Sequence, residues 1–209
     1  CRRFLSSSTT NTQGRLRALL RDTAQPVAVV TSRLKGTQDH FHGATLSSFS
    51  SISMDPHPLV AFSLRLPSRM ATALKSVNSQ DPAHMVINVL SAAQMSMAVA
   101  FSRVDLHPEP FKDAPHTLTE EGLPILEGTL GALSCKMISS WPLHDLEVLT
   151  GTRIEAGSEW SGDGVASELF VARVIRVESI LDPASDESLQ TLPLLYHRRS
   201  YATTTDLPS

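Results

Sequence analysis

Short apolar runs rich in β-branched residues, each soon stopped by a turn or proline, recur through most of this 209-residue chain. Residues 27–32, 41–46, 59–64, 85–90 and 133–137 read as strands, and 147–154 and 169–180 as two more. In one of them Leu133, Cys135 and Met137 alternate with Ser134 and Lys136, the pattern of a half-buried strand. No regular alternation of strand and helix accompanies these runs. The pattern therefore predicts a mainly β barrel rather than a doubly wound parallel sheet.

Three helices are expected between the strands. Leu16, Leu19 and Leu20 fall at helical spacing within residues 14–24, and Pro26 closes that segment. Ser68 is placed to cap a second helix whose apolar side carries Met70, Leu74 and Val77. Ser91 with Gln94 three residues later forms a capping-box pattern for a third, ending near residue 101. Residues 102–124 hold four prolines and little periodicity, so a long surface excursion is expected there. Excursions of that length in a compact domain usually cover or form a site. A turn is expected over residues 35–39 and a loop over 157–164.

Composition excludes several function classes. A formal net charge of −3 gives no electrostatic reason to expect a nucleic-acid partner. No apolar run approaches the ~20 residues that span a bilayer as a helix. Cys1 and Cys135 are far apart and fit no C-x-x-C pattern, so neither a disulfide framework nor a cysteine zinc site is indicated. Eight histidines are scattered without a metal-ligand spacing. Glycine-rich phosphate loops of the G-x-G-x-x-G or G-x-x-x-x-G-K-[ST] type are absent.

The first residues differ in kind from the rest. No acidic residue occurs from Cys1 to Arg21, whereas Arg2, Arg3, Arg15, Arg17 and Arg21 accompany a serine/threonine block. That composition reads either as a mitochondrial transit-peptide remnant or as a disordered leader over residues 1–13. A domain over residues 14–205 follows, in the mitochondrial matrix on the first reading and in the cytoplasm otherwise.

The densest chemical signal is His42-Gly43-Ala44-Thr45-Leu46-Ser47-Ser48-Phe49-Ser50-Ser51-Ile52-Ser53, leading into Asp55-Pro56-His57-Pro58. It is a row of hydroxyls on a β-prone backbone. Such rows are commonly solvated loops or strand faces. They also offer many neutral donors, which suit the ribityl chain, phosphate and pyrimidine edge of a flavin better than a metal.

This segment resembles the glycine-threonine-x-serine-serine-phenylalanine-x-serine-x-serine box of the flavin reductase-like family. Those proteins are FMN-binding split barrels that supply reduced flavin to monooxygenases. The resemblance continues in order through Ser68-Arg69, Val86-Ile87-Asn88-Val89-Leu90, Gly122-Leu123-Pro124-Ile125-Leu126-Glu127-Gly128 and Leu194-Leu195-Tyr196-His197-Arg198-Arg199-Ser200-Tyr201. It implies a six-stranded Greek-key split barrel, usually a homodimer, binding FMN or alternatively FAD and oxidising NADH or NADPH.

Carried over by position, Thr45, Leu46, Ser47 and Ser48 match the stretch that contacts the flavin, partly through backbone. Ser53 matches a serine near the ribityl and phosphate end, and Ser68 and Arg69 match phosphate-side residues. Guanidinium suits phosphate through paired hydrogen bonds, though Arg69 is equally at home as a solvated first-turn residue. Asn88 matches an asparagine beside the flavin, or else a strand amide satisfying backbone groups. His197 matches a histidine on the nicotinamide side, expected to be catalytic, and Tyr201 the accompanying tyrosine. Arg198 and Arg199 hint at the phosphate of NADPH.

Three departures stand against the family pattern. Gln25-Pro26 replaces a common glycine, His57 splits the double proline, and Leu146 stands where relatives tend to carry a site histidine. The expected activity is an NAD(P)H-dependent flavin reductase passing reduced flavin to an acceptor or monooxygenase. A non-catalytic FMN-binding or assembly protein on the same fold, or a pyridoxamine-phosphate-oxidase-like enzyme, are the alternatives. Hydride transfer between two cofactors asks the protein chiefly to position rings and to supply fixed dipoles.

Overall fold

A computed structural model describes residues 5–34, 41–103, 105–145, 166–180 and 189–205. Helix α1 (Leu5–Arg21) precedes β1 (Gln25–Pro26), β2 (Ala28–Arg33), β3 (Phe41–Leu46), β4 (Ser50–Ser53) and β5 (Leu59–Leu66). Next come α2 (Arg69–Lys75), β6 (Met85–Val89), α3 (Met95–Ser102) and the strands β7 (His116–Leu118) and β8 (Pro124–Leu126). Two long strands, β9 (Gly131–Pro142) and β10 (Ala166–Ile180), lead to a closing hairpin of β11 (Leu195–His197) and β12 (Ser200–Ala202).

Seven described strands form one curled antiparallel sheet in the order β3-β2-β6-β9-β10-β5-β4. The short β4 brings the number to seven, one more than the six expected. Edge strands β3 and β4 are consecutive in the chain, so the serine segment between them spans the split in the barrel. Ser48 bridges across: the Ser63 N–H donates to its Oγ at 2.9 Å, and that hydroxyl donates to the Ser63 carbonyl at 3.2 Å.

The apolar run of β2 is continuous because both of its faces are covered. Ala28 and Val30 join Phe62, Leu74, Met85, Ile87 and Phe170 inside the barrel. Val27, immediately before the strand, and Val29 pack on the opposite side with Leu90, Phe101, Leu126 and Leu194. Phe62 and Phe170 stack at 5.4 Å between ring centres. Full burial of each such side chain stabilises by about 1.5–3 kcal/mol.

Both caps read from the sequence are present. The Ala71 N–H donates to Ser68 Oγ at 3.2 Å, opening α2. The Ser91–Gln94 capping box forms on a single 3₁₀ turn that leads into α3. Helix α1 begins at Leu5, well before the expected start at residue 14, so no break in structure marks residue 13. The excursion at 102–124 is more ordered than its prolines suggest, carrying a 3₁₀ turn at Pro110–Lys112 and the β7–β8 pair. The expected turn at 35–39, strand at 147–154, loop at 157–164 and the Leu146 position lie outside the described residues.

Candidate functional site

A cleft of about 1200 Å³ runs along edge strand β3. An edge strand leaves a row of backbone N–H and C=O groups without strand partners, and these face whatever lies beside it. Helices α2 and α3 and the excursion after α3 supply the other walls. Along the strand from Phe41 to Leu46 the rise is about 17 Å. The cleft is large enough for an extended small molecule.

Its two ends differ in chemistry. At the Leu46 end stand Ser47, Ser48, Ser63, Arg65, Ser68 and Arg69. Leu46 and Met70 share the barrel core, which fixes the start of α2 beside the end of β3. The Ser48–Ser63 bridge brings β5, and with it Arg65, to the same place. Both arginines are exposed, and neither guanidinium pairs with a described residue. Lys112, by contrast, is already paired with Glu109.

At the Phe41 end four rings gather. Phe111 meets Phe101 at 4.9 Å, Phe41 at 5.5 Å and His116 at 5.4 Å, each edge to face. Phe41 and His116 are a further edge contact at 5.6 Å. Gly43 is required here, since a Cβ at that position would lie 2.5 Å from the Phe101 ring. That close approach explains the glycine at the head of the serine box.

Six of the residues expected at the site are brought together: Thr45, Leu46, Ser47, Ser48, Ser68 and Arg69 all line the cleft. Several hydroxyls are nevertheless spent internally. Thr45 Oγ1 donates to the Ala98 carbonyl at 2.7 Å, tying β3 to α3. Ser48 closes the barrel, and Ser68 caps α2. Of these expected residues, Ser47 and Arg69 have no such internal bond among the described residues, and the edge-strand backbone adds further donors.

Ser53, Asn88, His197 and Tyr201 are not among the lining residues. Ser53 Oγ donates to the Asp55 carbonyl at 3.1 Å. Asn88 is wholly buried: its Nδ2 donates to the Val29 carbonyl and Thr31 Oγ1, and its Oδ1 accepts from Leu126 N–H. Tyr201 packs behind the cleft wall, hydrogen-bonded to Ser102, with burial pushing its phenol pKa upward. His197 is half-buried on the closing hairpin, whose two turn residues, Arg198 and Arg199, both have positive φ. Arg198 is held by Asp22 at 2.8 Å.

Sequence reasoning missed Arg65, His116 and the phenylalanine cluster. Arg65 lies one residue beyond the strand expected over 59–64, which in the structure runs on to Leu66. His116 lies in the proline-rich excursion, where no periodicity marks it.

A family model described as the Flavin reductase like domain matches residues 20–205. The chain belongs to that family. The NADH-dependent flavin reductase of a Rhodococcus species is 30% identical over 149 residues, 71% of this chain and 77% of that protein. The FMN reductase (NADH) SmoA of Agrobacterium fabrum is 30% identical over 114 residues, covering 54% of this chain and 60% of the relative. Among solved structures, the styrene monooxygenase flavin reductase from Pseudomonas putida S12 superimposes with a TM-score of 0.64 at 24% identity, covering 93% of this chain and 99% of its own. The split-barrel fold and the oxidoreductase class expected from the sequence both hold. As a flavin reductase, this chain uses a flavin and a nicotinamide donor.

Proposed function

We propose that this flavin reductase binds FMN along β3, oxidises NADH, and releases reduced flavin to a monooxygenase partner. The observation that carries the FMN assignment is the pair of guanidiniums, Arg65 and Arg69, without a partner among the described residues, at one end of a cleft whose far end is aromatic. The donor set fits the group. Two cations and Ser47 suit a phosphate and polyol, and neutral backbone groups suit a ring edge.

When bound, FMN would supply the redox chemistry as the hydride acceptor. The protein's own work is placement. Arg65 and Arg69 would hold the phosphate, while β3, braced by the Thr45–Ala98 bond, would present fixed dipoles to the ring. Phe101 and Phe111 keep water from one wall. No protein acid or base is required to move electrons between the two cofactors.

The test is steady-state NADH oxidation as a function of added FMN. A rate that rises and saturates with FMN supports the proposal; a rate independent of FMN contradicts it. Repeating the titration with FAD and with NADPH decides between the flavins and between the donors.

Two wider readings belong to the same proposal. A second copy of this chain packs on edge strand β4 and the residue that follows it, where Ile52 and Met54 are exposed. Light scattering that gives a monomer at micromolar concentration would refute it. The acid-free, arginine-bearing helix α1 directs the chain to mitochondria. A reporter fused behind residues 1–21 that stays in the cytosol would count against that.

A further inference from the structure

We infer that His116 is a specificity-determining contact of this cleft, its Nε2 accepting an N–H from the planar ring system of a bound cofactor. The inference rests on the proposed use of the cleft by flavin and nicotinamide. His116 is the first residue of β7 and lines the aromatic end of the cleft. Its Nδ1 lies 2.8 Å from the Ala114 carbonyl, which can only accept. Nδ1 therefore carries the proton, and in the neutral ring Nε2 is left as an acceptor. No described residue takes up that capacity.

The ring is not free to turn away. Phe41 and Phe111 meet it edge to face on two sides. Its strand is anchored from beneath as well: Leu126, directly opposite His116 in the β7–β8 ladder, donates its N–H to buried Asn88 at 2.9 Å. Thr31 Oγ1 donates to the neighbouring Pro124 carbonyl at 2.6 Å. An acceptor fixed by packing and by a second hydrogen bond, among faces that favour a flat ring, matches an amide N–H on a heteroaromatic ligand. Two such groups are available, the flavin N3–H and the nicotinamide carboxamide.

Binding alone distinguishes them. Dissociation constants are measured for FMN against its N3-methyl derivative by fluorescence quenching. NAD⁺ is compared with its 3-acetylpyridine analogue, which lacks the carboxamide N–H, by calorimetry. The wild-type protein should prefer one natural ligand over its blocked partner by about 5–10-fold. His116→Phe, which keeps a ring among the aromatics but has no acceptor, should abolish that preference, and His116→Gln should restore part of it. The pair whose preference disappears identifies the group held. A His116→Phe protein that keeps both wild-type preferences overturns the inference while leaving the flavin reductase reading intact. A wild-type protein that binds neither FMN nor NAD⁺ overturns both.

Discussion

Asn88 accepts the backbone N–H of Leu126 at 2.9 Å, and Leu126 lies across the ladder from His116. A buried amide in the sheet thereby sets the height of a strand that walls the cleft. The same side chain donates to Val29 and Thr31, so it joins β2, β6 and β8 at one point. Its position in the sequence marks a site residue by resemblance; its contacts make it a brace acting at one remove from the ligand.

Asn88→Ala leaves the Leu126 N–H without its partner in a dry interior and removes the amide's added bonds to the Val29 carbonyl and Thr31 Oγ1, though Val29 keeps its ladder pairing. The expected loss is about 1–3 kcal/mol of unfolding free energy, the cost of one stranded buried group. Urea denaturation followed by fluorescence measures it. A loss under 1 kcal/mol (roughly one ordinary hydrogen bond) would show that water or backbone shifts replace the amide.

Arg65 and Arg69 should act on phosphate and on nothing else in the ligand. Replacing either by alanine is expected to raise the Kd for FMN ~10-fold or more, a charge-assisted hydrogen bond being worth about 1.5–3 kcal/mol. Riboflavin, which lacks the phosphate, should bind wild type and variants alike. Equal weakening for both ligands would place the phosphate elsewhere.

Gly43→Ala drives a methyl group to within 2.5 Å of a ring that is itself locked against Phe111. Overpacking of this kind costs about 1–3 kcal/mol. Thermal denaturation should show a lower midpoint than wild type. Gly43→Ala,Phe101→Leu, which shortens the obstructing side chain, should recover part of the loss; no recovery would move the cause away from that contact.

The strands were legible because burial on both faces writes itself into continuous apolar runs, as in Val29 and Val30 of β2. The caps were legible because Ser68, Ser91 and Gln94 act within three residues of their own position. What could not be read is what depends on closure of the barrel. Ser48 and Ser63 are fifteen residues apart, and nothing local announces that one hydroxyl meets the other's backbone. The hydroxyl box therefore looked like a row of free donors, whereas Thr45 and Ser48 are engaged in holding the fold. His116 escaped notice for the same reason. Its significance comes from Phe111 and from Phe41, the latter brought to it only by the folding of a distant part of the chain.

Glu121 gives the fold a defined sensitivity to acid. Hydrogen bonding to Arg176 at 2.8 Å, the largest influence, holds its carboxyl well below the ordinary 4.5, at about 2, against opposing desolvation. A depressed folded-state pKa stabilises above the unfolded value and is lost as pH falls from 4.5 toward 2. Glu121→Gln should thus be less stable than wild type at neutral pH, with the difference shrinking across that window. Melting temperatures recorded over the range test this, and a constant difference would assign the effect to packing.

One anaerobic spectrum bears on the central claim most directly. Purified protein is mixed with FMN, NADH is added, and the visible flavin band is followed with time. Bleaching much faster than in a protein-free control, and slowed in Arg69→Ala at limiting FMN, is the predicted result. A band that decays no faster than the control would contradict the assignment of this cleft to flavin reduction.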